Sequence, residues 1–240
     1  MAASNGPSAE LLELVKEQQA FLEMLARSWV SDYRASGGSI FCSKGCRNCC
    51  SLAVHTGFAE ALAIASYLDD NLRQAVSAYA SKLKALVGGV SALPEYLRLH
   101  RREMGYCPLL DASGSCSVYP VRPLTCRALI STKESCWCAT DFATVSASDR
   151  DGYLASLDRQ VVNYPSHYVA VLQESAQELE DVENRRMHEL FGFSLYGNLG
   201  VLLELICQHR LAEACLEGRA TVEAVIAAAG FEHPLLLTVG

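Results

Sequence analysis

Apolar residues recur at helical intervals over most of the chain and lose that rhythm in one long stretch of its first half. Leu11, Leu14, Val15, Phe21, Leu22, Leu25 and Trp29 predict one amphipathic helix from Ser8 to about Arg34. Asn5-Gly6-Pro7-Ser8 is its start signal, with Ser8 as N-cap, and Ala35 to Ser39 end it. A helix from Phe58 to Leu68 follows, with Thr56 as its cap and Glu60 in its first turn. Another runs from Leu72 to Val87 and stops at Gly88-Gly89, and Pro94 opens a shorter one that ends near Met104-Gly105. Beyond residue 150, Val169, Leu172, Ala176 and Leu179 place a helix from Ser166 to about Leu190, with Pro165 just before it. Helical patterns over Leu199–His209 and Thr221–Ala229, the last closed by Gly230, complete the chain.

The stretch without rhythm has its own signals. Leu109 to Tyr119 reads as two short extended pieces joined by a turn at Asp111 to Gly114. Pro120 and Pro123 forbid helix until about Leu124, and the Ser- and Thr-rich run from Ser131 to Ser148 reads as irregular. The expected fold is mostly α, with helices packed around an irregular, cysteine-rich metal centre that includes a short hairpin. Residues 1–150 would form the cysteine-bearing domain with its N-terminal helix, and residues 151–240 a helical region packed on it. There is no internal repeat.

Composition narrows the function classes. Half of the 240 residues are hydrophobic and a fifth are charged, which suits a folded globular chain. A net charge of −7 speaks against nucleic acid, and Arg101-Arg102 and Arg185-Arg186 sit among acidic neighbours as solvated helix faces. No run approaches the roughly 18 apolar residues of a membrane span. The richest, Leu199 to Ile206, is interrupted by Gly200 and Glu204, and Met1 to Ser8 lacks a signal-peptide layout. The expectation is a cytoplasmic protein with no membrane and no nucleic-acid partner, in a compartment where clustered thiols stay reduced. An odd count of eleven cysteines fits a complete disulfide framework poorly.

The candidate chemistry lies in two cysteine sets. The first, Cys42-Ser43-Lys44-Gly45-Cys46-Arg47-Asn48-Cys49-Cys50, places three residues between Cys42 and Cys46 and two between Cys46 and Cys49. Metal ligand pairs use spacings of roughly two to four residues, because a tight turn then aims both side chains at one centre. Cys49 and Cys50 are adjacent and point apart in extended backbone, which suggests ligands of two metals, a bridging thiolate, or a ligand beside a buried thiol. The second set is Cys107, Cys116 and Cys126. Seven thiols exceed one four-ligand site, so a binuclear site or a cluster with accessory thiols fits better than a simple zinc finger. Cys136-Trp137-Cys138 either adds ligands or forms a loop packed on Trp137. Arg122 and Arg127 either offset thiolate charge or pair with a carboxylate such as Asp111 or Glu60 and order carbonyls of the proline turns. Cys207 and Cys215 read as core thiols, His55 as exposed or capping with ligation as the alternative, and Asp69-Asp70 and Glu180-Asp181 as solvated helix faces. His188-Glu189 lacks the second histidine of a zinc protease, and no phosphate loop, nucleophile elbow or dinucleotide fingerprint is present.

The first cysteine set, Val54 through Glu60, Cys107-Pro108-Leu109, Cys116 to Tyr119 and Arg122-Pro123-Leu124-Thr125-Cys126-Arg127 together resemble the CxxCxxCC family of YkgJ-like zinc- or iron-chelating proteins. The resemblance spans about residues 40 to 130 and implies chelation of zinc or iron, or of an iron–sulfur cluster, by Cys42, Cys46, Cys49, Cys50, Cys107, Cys116 and Cys126. Bacterial flagellin lysine methylases are a related group with a similar pattern. The chain departs from the family pattern between Cys42 and Cys46, where three residues replace two. Three roles remain open: a metal-binding protein, a metal- or cluster-dependent enzyme, and an interaction module stabilised by zinc. No residue pattern identifies a substrate or a catalytic group.

Overall fold

Helix α1 spans Pro7–Ala35 and buries Leu11, Val15, Leu22 and Ala26 on one side. Its N-cap is Gly6 and not Ser8, because Pro7, with its fixed φ and missing N–H, occupies the first helical position. Phe21 lies outside the inward stripe and is exposed. The computed structural model describes residues 6–43 and 45–240. Asn5 of the start signal and Lys44 of the first cysteine set lie outside them.

From the cysteine-bearing loop the chain enters β1 (His55–Gly57) and α2 (Phe58–Ala65), and then α3 (Asp70–Val87), capped by the Asp69 carboxylate at 2.8 Å from the Leu72 N–H. Gly57, rather than Thr56, is the N-cap of α2, since Thr56 is engaged in the strand. Helix α4 (Leu93–Leu99) runs on into a π-helical turn at His100–Met104. Leu110 and Cys116 pair across a single antiparallel bridge, the hairpin reduced to its minimum. Two short helices, α5 (Leu124–Ala128) and α6 (Cys136–Ala139), follow, and then α7 (Ala147–Ala155), capped by Ser146. The stretch read as irregular therefore contains α6 and the start of α7.

Helix α8 begins at Ala170 and ends at Phe191. The four residues before it do not join the helix, because their backbone is spent elsewhere. The His167 carbonyl accepts the Thr132 N–H (3.1 Å), and the Val169 N–H donates to the Ile130 carbonyl (3.0 Å). Strand β2 (Leu195–Asn198), helices α9 (Leu199–Gln208), α10 (Leu211–Glu217) and α11 (Arg219–Ala229), and strand β3 (Leu237–Val239) complete the order. The fold is mostly α, with one small antiparallel sheet ordered β1-β2-β3.

That sheet joins distant parts of the chain: His55 faces Asn198, and Leu195 faces Val239. The largest core cluster runs through it, from Leu11 and Phe58 to Leu202, Val222 and Leu236. A second cluster, built on Leu22, Leu124, Val169 and Leu172, fastens α5 between α1 and α8. The third, around Tyr153, packs Trp137 and Phe142. Among the described residues no helix is long and apolar enough to cross a membrane.

Candidate metal centre

The first cysteine set reverses direction within a few residues. Gly45 adopts φ +84°, a left-handed conformation that costs glycine little, and the Cys46 N–H reaches back to the Ser43 carbonyl at 3.1 Å. A 3-10 turn at Asn48–Ser51 then carries Cys49 and Cys50. Distant chain holds both ends. The Ser131 N–H donates to Cys42 Sγ at 3.1 Å, and Asn48 Nδ2 donates to the Ser135 carbonyl at 2.9 Å.

The second set is tied to the first by backbone. The Cys107 N–H donates to the Cys50 carbonyl at 2.8 Å, across more than fifty residues of sequence. The Asp111 carboxylate accepts the N–H groups of Ser113 (2.8 Å) and Ser115 (2.9 Å), which shapes the turn leading to Cys116. Cys126 lies on α5, and the buried Glu60 carboxylate of α2 caps that helix by accepting the Leu124 N–H at 2.7 Å. Thr56 and Gln19 also donate to Glu60.

Arg127 orders the proline turns, as one of its two readings required, but its carboxylate is neither Asp111 nor Glu60. It donates to the Pro120 carbonyl (2.6 Å), the Arg122 carbonyl (3.0 Å) and Glu23 of α1 (3.1 Å). Arg122 stacks on Tyr119, 4.0 Å from the ring centre, and its Nε is buried without a hydrogen-bond partner. Its positive charge acts on the Cys49, Cys116 and Cys126 thiols.

Cys136 and Cys138 part company. Cys136 is exposed, whereas Cys138 is buried with its Sγ 3.3 Å from His167 Nε2. The other imidazole nitrogen, Nδ1, lies 2.8 Å from the Tyr153 hydroxyl. Burial lowers the His167 pKa to about 4, so the ring is neutral near pH 7. Sequence reasoning had no signal for His167, since it stands alone between Pro165 and an apolar run. Trp137 does pack, on Phe142 and Tyr153, and this packing turns Cys138 inward. Arg101, expected on a solvated face, donates to the Cys138 carbonyl at 2.9 Å.

Every described cysteine is a free thiol. Burial pushes Cys42 up to about 11 and Cys107 up to about 12, and it raises Cys116, Cys126 and Cys138 as well. Cys49 is raised most by hydrogen bonding to the Cys50 thiol and next by burial. Cys42 feels the charges of Cys138, Cys49 and Cys46, and Cys126 those of Cys107, Cys49 and Cys116. Among the described residues, however, no three His, Cys, Asp or Glu side chains are already gathered closely enough to hold an ion. The donor chemistry fits zinc or iron, and closure round an ion requires the thiols to move together.

Residues 41–144 match the CxxCxxCC family. Its description is a putative zinc- or iron-chelating domain. No curated protein and no solved structure gives a significant match to the chain. The CxxCxxCC segment includes all seven cysteines of the two sets together with Cys136 and Cys138, and it stops short of His167.

The remaining candidates lie apart from the thiols or in ordinary packing. His55 Nε2 contacts the Tyr96 hydroxyl at 3.0 Å, and burial lowers its pKa to about 4. Cys215 is buried and Cys207 is packed against the main core. Glu180 is buried rather than solvated, along with Glu183 one turn later on α8, and neither Glu183 oxygen has a hydrogen-bond partner.

Proposed function

We propose that the chain binds zinc or iron, as ions or as an iron–sulfur cluster, through thiolates of Cys42, Cys46, Cys49, Cys50, Cys107, Cys116 and Cys126. The observation that supports this reading most is the Cys107–Cys50 backbone bond, which ties together the two segments that carry the separately encoded groups of free thiols. When bound, the metal supplies the positive charge that holds these thiols deprotonated against the effect of burial. Arg122 offsets part of the negative charge of the thiolates, and Glu60 and Arg127 hold α5 and the proline turns that present Cys126 and Cys116. In this reading residues 1–150 form the metal-binding unit and residues 151–240 its helical support. A reducing, cytoplasmic setting suits the free thiols, and the net charge of −7 suits a protein without a nucleic-acid partner.

The test is anaerobic purification followed by elemental analysis and a visible spectrum. Stoichiometric zinc or iron is the expected result, with acid-labile sulfide if the iron is in a cluster. Cys49→Ser and Cys116→Ser should lower the metal content, while Cys207→Ser, in the C-terminal helices, should leave it intact. Protein that folds and never holds metal would rule the reading out.

A further inference from the structure

An open cavity of about 480 Å3 lies between α5 and α8, within the size range of small-molecule sites. Thr125 and Ala128 of α5 form one wall, and Ala176 with Glu174, Glu178 and Glu180 of α8 the other. Among the described residues no lysine or arginine lines it, and none of the three carboxylates has an ion-pair partner. Glu189, at the end of the same helix, does hold one in Arg186. Like charges one helical turn apart, as at Glu174 and Glu178, are destabilising when nothing offsets them. Glu180 is only 3 % exposed, and its Oε1 has no hydrogen-bond partner. The Tyr196 hydroxyl reaches the other oxygen at 3.5 Å. Burial, and next the charge of Glu60, raise the Glu180 pKa to about 8, against a smaller opposing effect of the Thr125 backbone. A cation bound there would draw the proton off and supply the missing partner.

The spread of the charges decides the kind of cation. Among the described residues no three acidic side chains converge closely enough to hold a metal ion, so a single small ion suits the cavity poorly. At a rise of about 1.5 Å per residue, Glu174 to Glu180 covers about 9 Å of the α8 axis. A chain of ammonium groups separated by short methylene runs matches that spread. Its charges meet the carboxylates, and the small side chains of Ala128 and Ala176 leave room for the methylenes. The cavity's carboxamides are held in place: Asn163 Nδ2 donates to Gln173 Oε1 at 3.1 Å, and Gln177 Nε2 to Asp181 at 3.2 Å. We propose that this cavity binds a linear polyamine, with Glu180 anchoring one ammonium group at the buried end and Glu174 and Glu178 holding the rest at the rim. No cysteine lines the site, which stands whether or not the thiols bind metal.

The experiment is calorimetric titration of the full chain with spermidine at near-physiological ionic strength, with butylamine, Mg2+ and a trilysine peptide as comparison probes. The expected result is saturable binding of one spermidine per chain, about tenfold or more tighter than butylamine, a readout that needs no variant to fold. Glu180→Gln removes a charged partner from a buried setting and should weaken spermidine about tenfold or more. Glu174→Gln and Glu178→Gln, at exposed positions, should each weaken it about 2–5-fold. Glu232→Gln, exposed and absent from the cavity wall, should leave it unchanged. Binding that does not saturate, or that Mg2+ matches in affinity, would reduce the cavity to a patch of surface charge and overturn the site. So would equal losses in Glu174→Gln and Glu232→Gln. Tighter binding of trilysine than of spermidine would overturn the polyamine assignment in favour of a peptide's side chains.

Discussion

The Cys138 backbone is held at both ends, its N–H on the Ser135 carbonyl and its carbonyl on Arg101, and its thiol is directed by the side chains around it. His167 meets its sulfur at one ring nitrogen while Tyr153 meets the other, and aromatic packing on Trp137 fixes the turn. Outer partners of this kind typically alter metal affinity about 10–100-fold when removed. If Cys138 is among the ligands, His167→Ala should weaken Zn2+ binding by about that factor, as read by chelator competition. A His167 that only packs against the Cys138 turn would leave that affinity unchanged. A different single-residue effect belongs to Glu183. Burial raises its pKa to about 10, and that of Glu180 to about 8, with Glu60 and Tyr196 facing the same space. In the unfolded chain both carboxyls lose their protons near pH 4.5. The folded form keeps them longer, so the stability these groups allow is fully present below that pH and is lost as pH rises through 8 to 10. The slope is at most about 1.4 kcal/mol per pH unit for each group. Glu183→Gln should flatten this fall, and urea midpoints compared at pH 6 and 8.5 would measure it.

Among the elements, α5 is the one whose position most affects the site. It is five residues long, too short to persist alone, and it is held by Leu124 and Ala128 in the second core cluster and by the Glu60 cap. Glu60→Ala leaves a buried N–H without its acceptor, at a cost of about 1–3 kcal/mol, and should loosen Cys126 as well. Glu60→Gln retains an acceptor and should cost less, so urea midpoints and Zn2+ release rates should both rank wild type, Gln, Ala. The long helices were legible because α1, α3, α8 and α9 each repeat apolar residues often enough to define a face. The strands were not. His55–Gly57 and Leu237–Val239 are three residues each, too short to display alternation, and they become strands only because β2 arrives between them. Glu180 and Asp181 illustrate a second limit: adjacent helical positions point about 100° apart, so one is buried and its neighbour exposed, and an acidic pair cannot announce which. The cysteine sets were legible by spacing. The division between Cys136 and Cys138 and the presence of His167 depend on tertiary packing alone.

On the scale of the whole molecule, two kinds of fastening divide the chain. The C-terminal helices α9 to α11 are held by apolar contact: Val201, Leu202, Leu203, Leu205 and Val222 are fully buried. Among the described residues, segment 36–54 has no buried apolar side chain, and 105–146 is anchored mainly through Leu109, Val118, Leu124 and Ala128. Their cysteines are only partly buried apart from the buried Cys138 and the exposed Cys136, and they are joined by a few hydrogen bonds such as Phe41 to Ser131 and Cys107 to Cys50. Metal bound between such segments contributes its binding free energy to their order and little to helices that already have a core. Stripping the metal with a chelator under reducing conditions should therefore increase hydrogen exchange and protease cleavage in 36–54 and 105–146, with α9 to α11 remaining protected. Mass-spectrometric exchange on holo and stripped protein would show this. Uniform loss of protection along the chain would mean that the metal supports the global fold, and no change in either segment would mean that their hydrogen bonds suffice without it.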